Sequence, residues 1–441
     1  MFYHLLLYAV VCIIKIPVDI LRGLKIIPNE NKWRTWLKQQ KSASIHKYTL
    51  PKLAVGYVEY LNGFYQDNSE FVPITDTPFV PNDNAVRPIA YYLPQFYPFP
   101  LNDEWHGRGF TEWTNVTKMI PQYVGHLQPK LPIDIGFYNL ESSQIMHRQA
   151  ELARMYGIYG WCFYYYWFSG NYLMEKPILN FLDDKSIDMK FMLFWANERW
   201  TKKWHDGGGG NSFDAKVKPG DAVKFIDDIT IFWNDPRYIT IGGHPVLTVY
   251  RIADDPNIAS FIGQIKEICI TRNIPTPYVM IINAGNPANS INPADYNADA
   301  LTEFAMHIPN SVIPAKNIIK INHAARFGVA DMDKFFAGEQ YLYDSNYPLF
   351  KGCMTSYDNC SRHLYSEIGA GVLHITPKQY EKYLSDIIKW TYKYSMAYNP
   401  DKLIFIAAWN EWAECMCLEP DRHYGYSYLD ATKRVLQKLQ K

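Results

Sequence analysis

The sequence predicts an α/β chain closed into a (β/α)8 TIM barrel with an N-terminal extension. Three observations predict it. Eight apolar, β-branched or aromatic runs recur at residues 89–93, 158–166, 191–195, 246–250, 278–282, 300–305, 349–355 and 403–408. Amphipathic stretches lie between most of them. Polar and aromatic residues gather where the runs end. Near-continuous apolar strands alternating with helices read as parallel strands buried on both faces. Eight such units over about 350 residues fit a barrel with long loops. An open doubly wound sheet is the alternative, but the turn after the first run, Leu93-Pro94-Gln95-Phe96-Tyr97, is stiff rather than glycine-rich.

The elements follow in order. Residues 1–14 are almost wholly apolar and are followed by Lys15, Pro17, Asp19, Arg22 and Lys25. The run is short for a bilayer crossing. It lacks the leading positive charge and the small cleavage-site residues of a secretory signal. Basic residues after the apolar part would keep the chain on the cytoplasmic side. The segment therefore reads as a peripheral membrane anchor through residues 1–25, with a buried first helix as the alternative. Residues 26–85 are mixed in polarity and end in Pro73, Pro78, Pro81, Asn82 and Asn84, which read as linker. The division expected is an extension over 1–85 and the barrel over 86–441.

Within the barrel, residues 142–156 put Ile145, Ala150, Leu152, Ala153 and Tyr156 on one helical face. Residues 221–233 carry Ala222, Val223, Phe225, Ile226, Ile229 and Phe232. Stretches 258–272, 377–396 and 427–439 behave similarly, and the links after the fifth and sixth runs carry the weakest helical pattern. Lys plus Arg and Asp plus Glu are 44 each, so no net field draws the chain to nucleic acid. Seven cysteines at irregular spacing suggest buried thiols in a reduced compartment, hence the cytoplasm. None has metal-ligand spacing, and neither metal nor cofactor is expected.

Barrel chemistry sits on loops after strand C-terminal ends. Those ends read Tyr91-Tyr92-Leu93-Pro94-Gln95, Tyr164-Tyr165-Tyr166-Trp167, Trp195-Ala196-Asn197-Glu198-Arg199-Trp200, Tyr250-Arg251, Tyr357-Asp358-Asn359 and Trp409-Asn410-Glu411-Trp412-Ala413-Glu414. In the last, two carboxylates three residues apart stand among indoles after a buried strand. Indole faces suit sugar C–H surfaces, and paired carboxylates supply the acid and base of glycosidic cleavage. The plainer alternative is a solvated helix start. A rim of aromatic and polar side chains points to an oligo- or polysaccharide partner.

Several segments together resemble the WbsX-like branch of proteins related to glycoside hydrolase family 99, the endo-α-mannosidase and endomannanase family. They are Ala90-Tyr91-Tyr92-Leu93-Pro94-Gln95-Phe96-Tyr97-Pro98, Asn102-Asp103-Glu104-Trp105, Gly109-Phe110-Thr111-Glu112-Trp113-Thr114-Asn115-Val116, Trp195-Ala196-Asn197-Glu198, Tyr357-Asp358-Asn359 with Arg362, and the 409–414 motif continued by Leu418-Glu419-Pro420-Asp421. The resemblance spans residues 86–425 and implies a (β/α)8 barrel and a retaining mechanism. It implies that Glu411 takes the proton of the sugar 2-hydroxyl, and that Glu414 is the general acid/base, its pKa raised by a partly dry aromatic setting. Two departures stand out: Cys415 replaces the family's usual glycine, and the WbsX-like branch is named for polysaccharide and O-antigen synthesis clusters.

The remaining candidates complete the site. Glu112 with Trp113, and Glu198 with Trp195 and Trp200, are read as hydroxyl acceptors with stacking platforms, or else as salt-bridge partners of Arg108 and Arg199. Asp358, Asn359 and Arg362 either bind polar substrate groups or cap a loop. Tyr92, Gln95, Trp105, Asn197, Arg251, Asn410 and Trp412 are the other expected substrate contacts. The run Asp206-Gly207-Gly208-Gly209-Gly210-Asn211 lacks the Lys-Ser/Thr of a phosphate loop and reads as a lid. Asp331-Met332-Asp333 mimics a metal-binding acidic pair of nucleotide-sugar transferases. Three functions remain open: a retaining enzyme on an α-mannoside-like glycan, a glycosyltransferase building lipopolysaccharide or capsule glycan, and a non-catalytic glycan-binding assembly protein.

Overall fold

Eight parallel strands close on themselves. They are β1 (Arg87–Tyr92), β2 (Gly160–Phe168), β3 (Lys190–Trp195), β4 (His244–Val249), β5 (Tyr278–Ile282), β6 (Ala300–Thr302), β7 in two pieces (Leu349–Phe350 and Gly352–Met354) and β8 (Leu403–Ala407). The computed structural model describes residues 69–201, 212–214, 216–283, 290–304, 314–363 and 369–440. Each strand pairs with its sequence neighbours, and β1 pairs with both β2 and β8, with Tyr91 opposite Cys162 and Ile89 opposite Phe405. The first piece of β7 pairs with β6 and the second with β8. Only Lys351 separates the pieces. Its buried Nζ bonds Glu303 Oε1 at 2.8 Å and the Tyr341 carbonyl at 2.6 Å.

Among the described residues, six helices of eight residues or more cover the barrel: α1 (Ser143–Met155), α2 (Lys176–Asp183), α3 (Asp221–Trp233), α4 (Ile258–Thr271), α5 (Pro377–Tyr394) and α6 (Ser427–Leu439). The link after β5 contains, among the described residues, only a short turn at Pro293–Tyr296, and the link after β6 a seven-residue helix, Met332–Gly338. Both match their weak sequence periodicity. The start of α5 is set locally: Thr376 Oγ1 accepts from the Gln379 amide, Gln379 Oε1 accepts from the Thr376 amide, and Pro377 occupies the first turn.

Side-chain alternation divides the aromatic residues between two layers. Tyr91, Tyr164, Phe194, Phe304 and Phe405 fill the bore. The Tyr91 ring stands edge-on to Phe304 at 4.8 Å and to Phe194 at 5.3 Å, and stacks on Phe405 at 5.6 Å. Such pairs contribute about 0.5–1.5 kcal/mol each beyond their burial. Their sequence neighbours face the helices: Phe163 meets Phe181 of α2, and Trp195 meets Phe225 of α3 and Phe261 of α4. The bore is therefore plugged, and the plug is the floor of whatever opens above it.

The compact unit begins at Asp67. Residues 69–85 run along α1 and α6: Val72 exchanges backbone hydrogen bonds with Tyr424 and Tyr426, and Phe79 N donates to the Met155 carbonyl at 2.8 Å. A Cβ at Gly425 would stand 2.3 Å from the Val72 carbonyl oxygen, and its φ is +59°, so this crossing needs glycine. Among the described residues no helix is long and apolar enough to cross a membrane. The expected anchor in residues 1–25 and the Gly-rich run at 206–211 both lie outside the described residues.

Candidate active site

The loop after β8 is a small hairpin. Asn410–Glu411 pairs antiparallel with Met416–Cys417, and a single turn, Trp412–Glu414, joins them. Cys415 closes the turn at φ +55°, a left-handed conformation that glycine adopts freely and other residues adopt under strain. The family glycine therefore stands at a position where this chain still needs its geometry. Asn410 ties the hairpin to the end of β1: its Oδ1 accepts from Leu93 N at 2.7 Å and its Nδ2 donates to Leu93 O at 2.9 Å.

Behind the hairpin lies Glu419, fully buried and accepting four hydrogen bonds. Donors are Trp412 Nε1 at 2.6 Å, Gln149 Nε2 at 2.7 Å, the Tyr138 hydroxyl at 2.8 Å and Trp409 Nε1 at 3.1 Å. Burial outweighs these donors and pushes the Glu419 carboxyl up to about 7. Both indoles of the motif are thus anchors of the loop, with 0% and 1% exposure at Trp409 and Trp412, and offer no face to a sugar.

In front of the hairpin, one guanidinium holds three buried carboxylates. Arg362 comes from the short helix Cys360–His363 after β7, which Ser361 Oγ ties to the Ala413 carbonyl at 2.5 Å. Arg362 Nη1 donates to Glu414 Oε1 at 2.6 Å and Nη2 to Glu411 Oε2 at 3.3 Å. Nη2 and Nε also donate to Glu112 Oε2, at 2.9 and 3.2 Å. Glu112 opens the helix Glu112–Thr117, where Asn115 Nδ2 donates to its other oxygen at 3.2 Å and Lys118 Nζ donates to Asn115 at 2.6 Å. Burial raises the Glu411 carboxyl well above its ordinary value, with Glu414 and Glu112 adding to the rise and Arg362 opposing it. Glu414 is also raised, by burial first and by Glu112, against Arg362. The two titrate as a pair and keep a proton well above the pH at which a free glutamate loses it.

These groups open into a cleft of about 240 Å³ at the C-terminal ends of the strands. Its floor and walls are Tyr164, Tyr166, Phe194, Trp200, Tyr250, Phe304 and Tyr357, with polar contributions from Gln95, Glu198, Arg251, Asn359, Arg362, His363, Glu411 and Glu414. The Tyr164 hydroxyl is buried and makes no hydrogen bond. Burial holds Tyr164 and Tyr166 well above the ordinary phenol range, so both stay neutral donors. Burial also raises Glu198, which Arg251 opposes and Glu414 reinforces. The Arg251 guanidinium lies 4.5 Å over the Tyr250 ring.

Of the residues expected from sequence, Gln95, Glu198, Trp200, Arg251, Asn359, Arg362, Glu411 and Glu414 meet in this cleft, and Glu112 stands directly behind Arg362. The others are elsewhere. Tyr92 points to the helix layer and donates to Gln149 at 2.6 Å. Trp195 also faces helices. Trp113 donates to the Tyr138 carbonyl at 2.8 Å and packs on Phe96. Trp105 stacks on the far side of Trp200 at 5.1 Å. Asn197 clamps the end of β4, its Nδ2 donating to Arg251 O and its Oδ1 accepting from Arg251 N, both at 2.7 Å. Asp358 bonds His126 Nε2 at 2.5 Å and the Cys360 amide at 2.9 Å. Asn410 and Trp412 hold the hairpin as described.

Among the described residues, one group, His126, Asp358 and Cys360, has ligand atoms near enough for a metal ion. His126 Nδ1 accepts from the Gln122 amide at 3.0 Å, which puts the ring proton on Nε2, facing Asp358. The group is thus closed upon itself by hydrogen bonds. Asp331 caps the helix Met332–Gly338 and pairs with Lys334, while Asp333 accepts from Gln379 at 2.8 Å, so the two acids hold separate partners.

A family model described as Glycosyltransferase WbsX matches residues 88–432, from within β1 to within α6. The chain belongs to the WbsX glycosyltransferase family. Two WxcX proteins of Xanthomonas campestris pv. campestris, both uncharacterized, are similar to this WbsX-family chain. One is 32% identical over 427 residues, covering 94% of this chain and 59% of the relative. The other is 35% identical over 352 residues, covering 79% and 49%. The chain thus spans about half the length of the curated relatives it matches. A solved structure described as a glycoside hydrolase-like protein is similar in fold, with a TM-score of 0.51, 12% identity, and coverage of 83% of this chain and 98% of that one. The GH99 endo-alpha-mannosidase from Bacteroides thetaiotaomicron gives a TM-score of 0.47 at 13% identity, covering 81% and 98%.

Sequence reasoning about the WbsX-family chain placed Tyr164, Tyr166, Tyr250 and Tyr357 on the strand-end rim without choosing them as substrate contacts, and it missed Glu419 as the loop's anchor. Strand parity was the available signal for the first two: if Trp161 and Phe163 face the helices, Tyr164 and Tyr166 do not all share that side. Glu419 had no local signal beyond standing in the quoted motif.

Proposed function

We propose that this WbsX-family chain acts on glycosidic bonds of an α-mannoside-like glycan by a retaining route, in surface-polysaccharide metabolism. The observation that carries the reading is the pair of buried glutamates three residues apart, both bonded to one guanidinium above an aromatic floor. In the first step Glu411 takes the 2-hydroxyl proton, O2 attacks C1, and Glu414 gives its proton to the departing oxygen. In the second, Glu414 takes a proton from water or an acceptor hydroxyl, whose oxygen opens the 1,2-anhydro ring at C1 while Glu411 returns its proton to O2. Two inversions at C1 give net retention.

The first step needs one proton on the pair, resident on Glu414. In the free cleft Arg362 lies nearer Glu414, at 2.6 Å against 3.3 Å for Glu411, which favours the proton on Glu411. The proposal therefore includes a redistribution: a bound 2-hydroxyl donates to Glu411 and stabilises its anion, moving the proton to Glu414. Glu414→Gln should abolish turnover while leaving glycan binding nearly intact. Unchanged rates would remove Glu414 from the role.

A second reading, transfer to an acceptor sugar, is supported by the family's description as a glycosyltransferase. Product analysis with the host's surface glycan, with and without nucleotide sugars and Mn²⁺, separates cleavage from chain building. We also propose a cytoplasmic protein held at the inner face of the membrane through residues 1–25. Their deletion should shift the protein from the membrane toward the soluble fraction, and no shift would remove the segment from that role.

A further inference from the structure

Two loops on the rim pair into a ribbon that the catalytic reading leaves unused. Val124 N donates to the Ile319 carbonyl at 3.0 Å, Ile321 N donates to the Gln122 carbonyl at 2.8 Å, and Tyr123 stands opposite Lys320. In this antiparallel register Tyr123 and Lys320 share one face, and Val124, Ile319 and Ile321 the other. The Tyr123 face is packed: its ring stacks on His126 at 4.5 Å, and Lys320 Nζ lies 4.6 Å over Phe327. On the opposite face Gln122 is buried against the Ile120 carbonyl and Asn322, but the aliphatic residues are bare, with Val124 at 56%, Ile319 at 67% and Ile321 at 41% exposure, and Ile120 just before the ribbon at 55%.

The two segments that form it carry charge of one sign. Residues 118–126 and 314–329 contain Lys118, Lys316, Lys320 and Arg326 and no Asp or Glu. Lys316, His323 and Arg326 are exposed. Exposed aliphatic side chains in a basic surround match an anionic bilayer, where apolar groups enter the interface and cations meet headgroups. Sugar platforms need flat aromatic faces, and this face has none. The ribbon also adjoins the cleft mouth. Ala315 N bonds the Val329 carbonyl at 2.8 Å, and Phe327–Val329 belongs to the three-stranded sheet containing Tyr357, a cleft residue.

We propose that the ribbon formed by residues 120–124 and 319–321 docks on an anionic lipid surface, turning the cleft mouth toward the bilayer. The proposal stands independently of the chemistry assigned to Glu411 and Glu414 and of residues 1–25. Its test is flotation of the full chain with phosphatidylcholine vesicles and with vesicles of equal parts phosphatidylcholine and phosphatidylglycerol. The wild type should bind the anionic vesicles and lose binding as salt rises. Ile319→Ser with Ile321→Ser, and separately Lys316→Glu with Arg326→Glu, should each lower the partition at least about tenfold, with an unchanged melting temperature. Equal binding by the variants, no preference for anionic vesicles, or a wild-type dimer split by the Ile319/Ile321 change would overturn it. The last result would assign the face to a second copy.

Discussion

Glu112 Oε2 accepts from both Nη2 and Nε of Arg362, at 2.9 and 3.2 Å, and so fixes the plane of the guanidinium that meets Glu411 and Glu414. Glu112 is wholly buried and outside the cleft lining. It acts on the pair in two ways: it orients their shared cation, and its charge helps to raise both of their carboxyls.

Glu112→Gln should separate these effects from simple loss of structure. Removing the buried negative charge lowers the proton affinity of Glu411 and Glu414 and frees Arg362 to bind them more tightly. The alkaline limb of turnover, set by loss of the pair's proton, should move to lower pH, and the rate at neutral pH should fall about tenfold or more. The pH–rate profile is the check. A reduced rate with an unmoved limb would make Glu112 a packing residue only.

Stability should peak in mildly acidic solution. Glu419, Glu411, Glu414 and Glu198 are all raised, chiefly by burial. A raised carboxyl favours the folded chain while protonated; that advantage is complete below its unfolded value and is lost as pH climbs through its folded one. For Glu419 the window runs from 4.5 to about 7, on the order of 3 kcal/mol. Asp358 works in the opposite sense. Burial opposes but His126 wins, its carboxyl is lowered, and its contribution disappears as pH falls below the usual aspartate range. The melting temperature should therefore be highest near about pH 5 and fall toward pH 8, with a smaller fall in Glu419→Gln. A melting temperature that rises steadily to pH 8 would contradict the assignment.

Most of the barrel was legible because parallel strands buried on both faces leave long apolar runs, as 403–408 and 191–195 do. Closure was legible too, from the count of eight. Side-chain direction was less so. Tyr91 and Tyr92 look alike in sequence, yet one ring plugs the bore and the other leaves it for Gln149. The motif around Glu411 does bring its two glutamates to one cleft, but its indoles suggested sugar platforms when they serve a carboxylate 270 residues along the chain from Gln149. Long-range pairings of this sort, Glu419 with Tyr138 and Arg362 with Glu112, leave no periodicity to read.

Trp200 and Trp412 should therefore respond differently to change. Trp200 lines the cleft and is backed by Trp105, whose ring stacks on it at 5.1 Å. Trp200→Ala should raise the apparent KM for glycan about three- to tenfold, the worth of an aromatic contact, with little effect on kcat. Trp412→Phe removes a 2.6 Å donor from buried Glu419 and should cost about 1–3 kcal/mol of stability. Kinetics and denaturant melts on both variants decide it; a KM effect confined to Trp412 would reverse the roles.

Cys415 gives the last test, because its strain and its burial act in opposite directions. Its φ of +55° costs a non-glycine residue about 1 kcal/mol, which Cys415→Gly removes. The same change gives up a buried side chain and adds freedom to the unfolded chain, losses of similar size. Cys415→Gly should thus fold within about 1 kcal/mol of the wild type and keep its turnover. Cys415→Val keeps the burial but puts a β-branched residue in the left-handed region, and should cost about 2 kcal/mol or more. Because the turn carries Glu414 one residue away, the valine variant should also lose turnover in proportion to the displaced carboxyl. Equal stabilities for the two variants, measured by denaturant unfolding, would show that the backbone at 415 does not require this conformation.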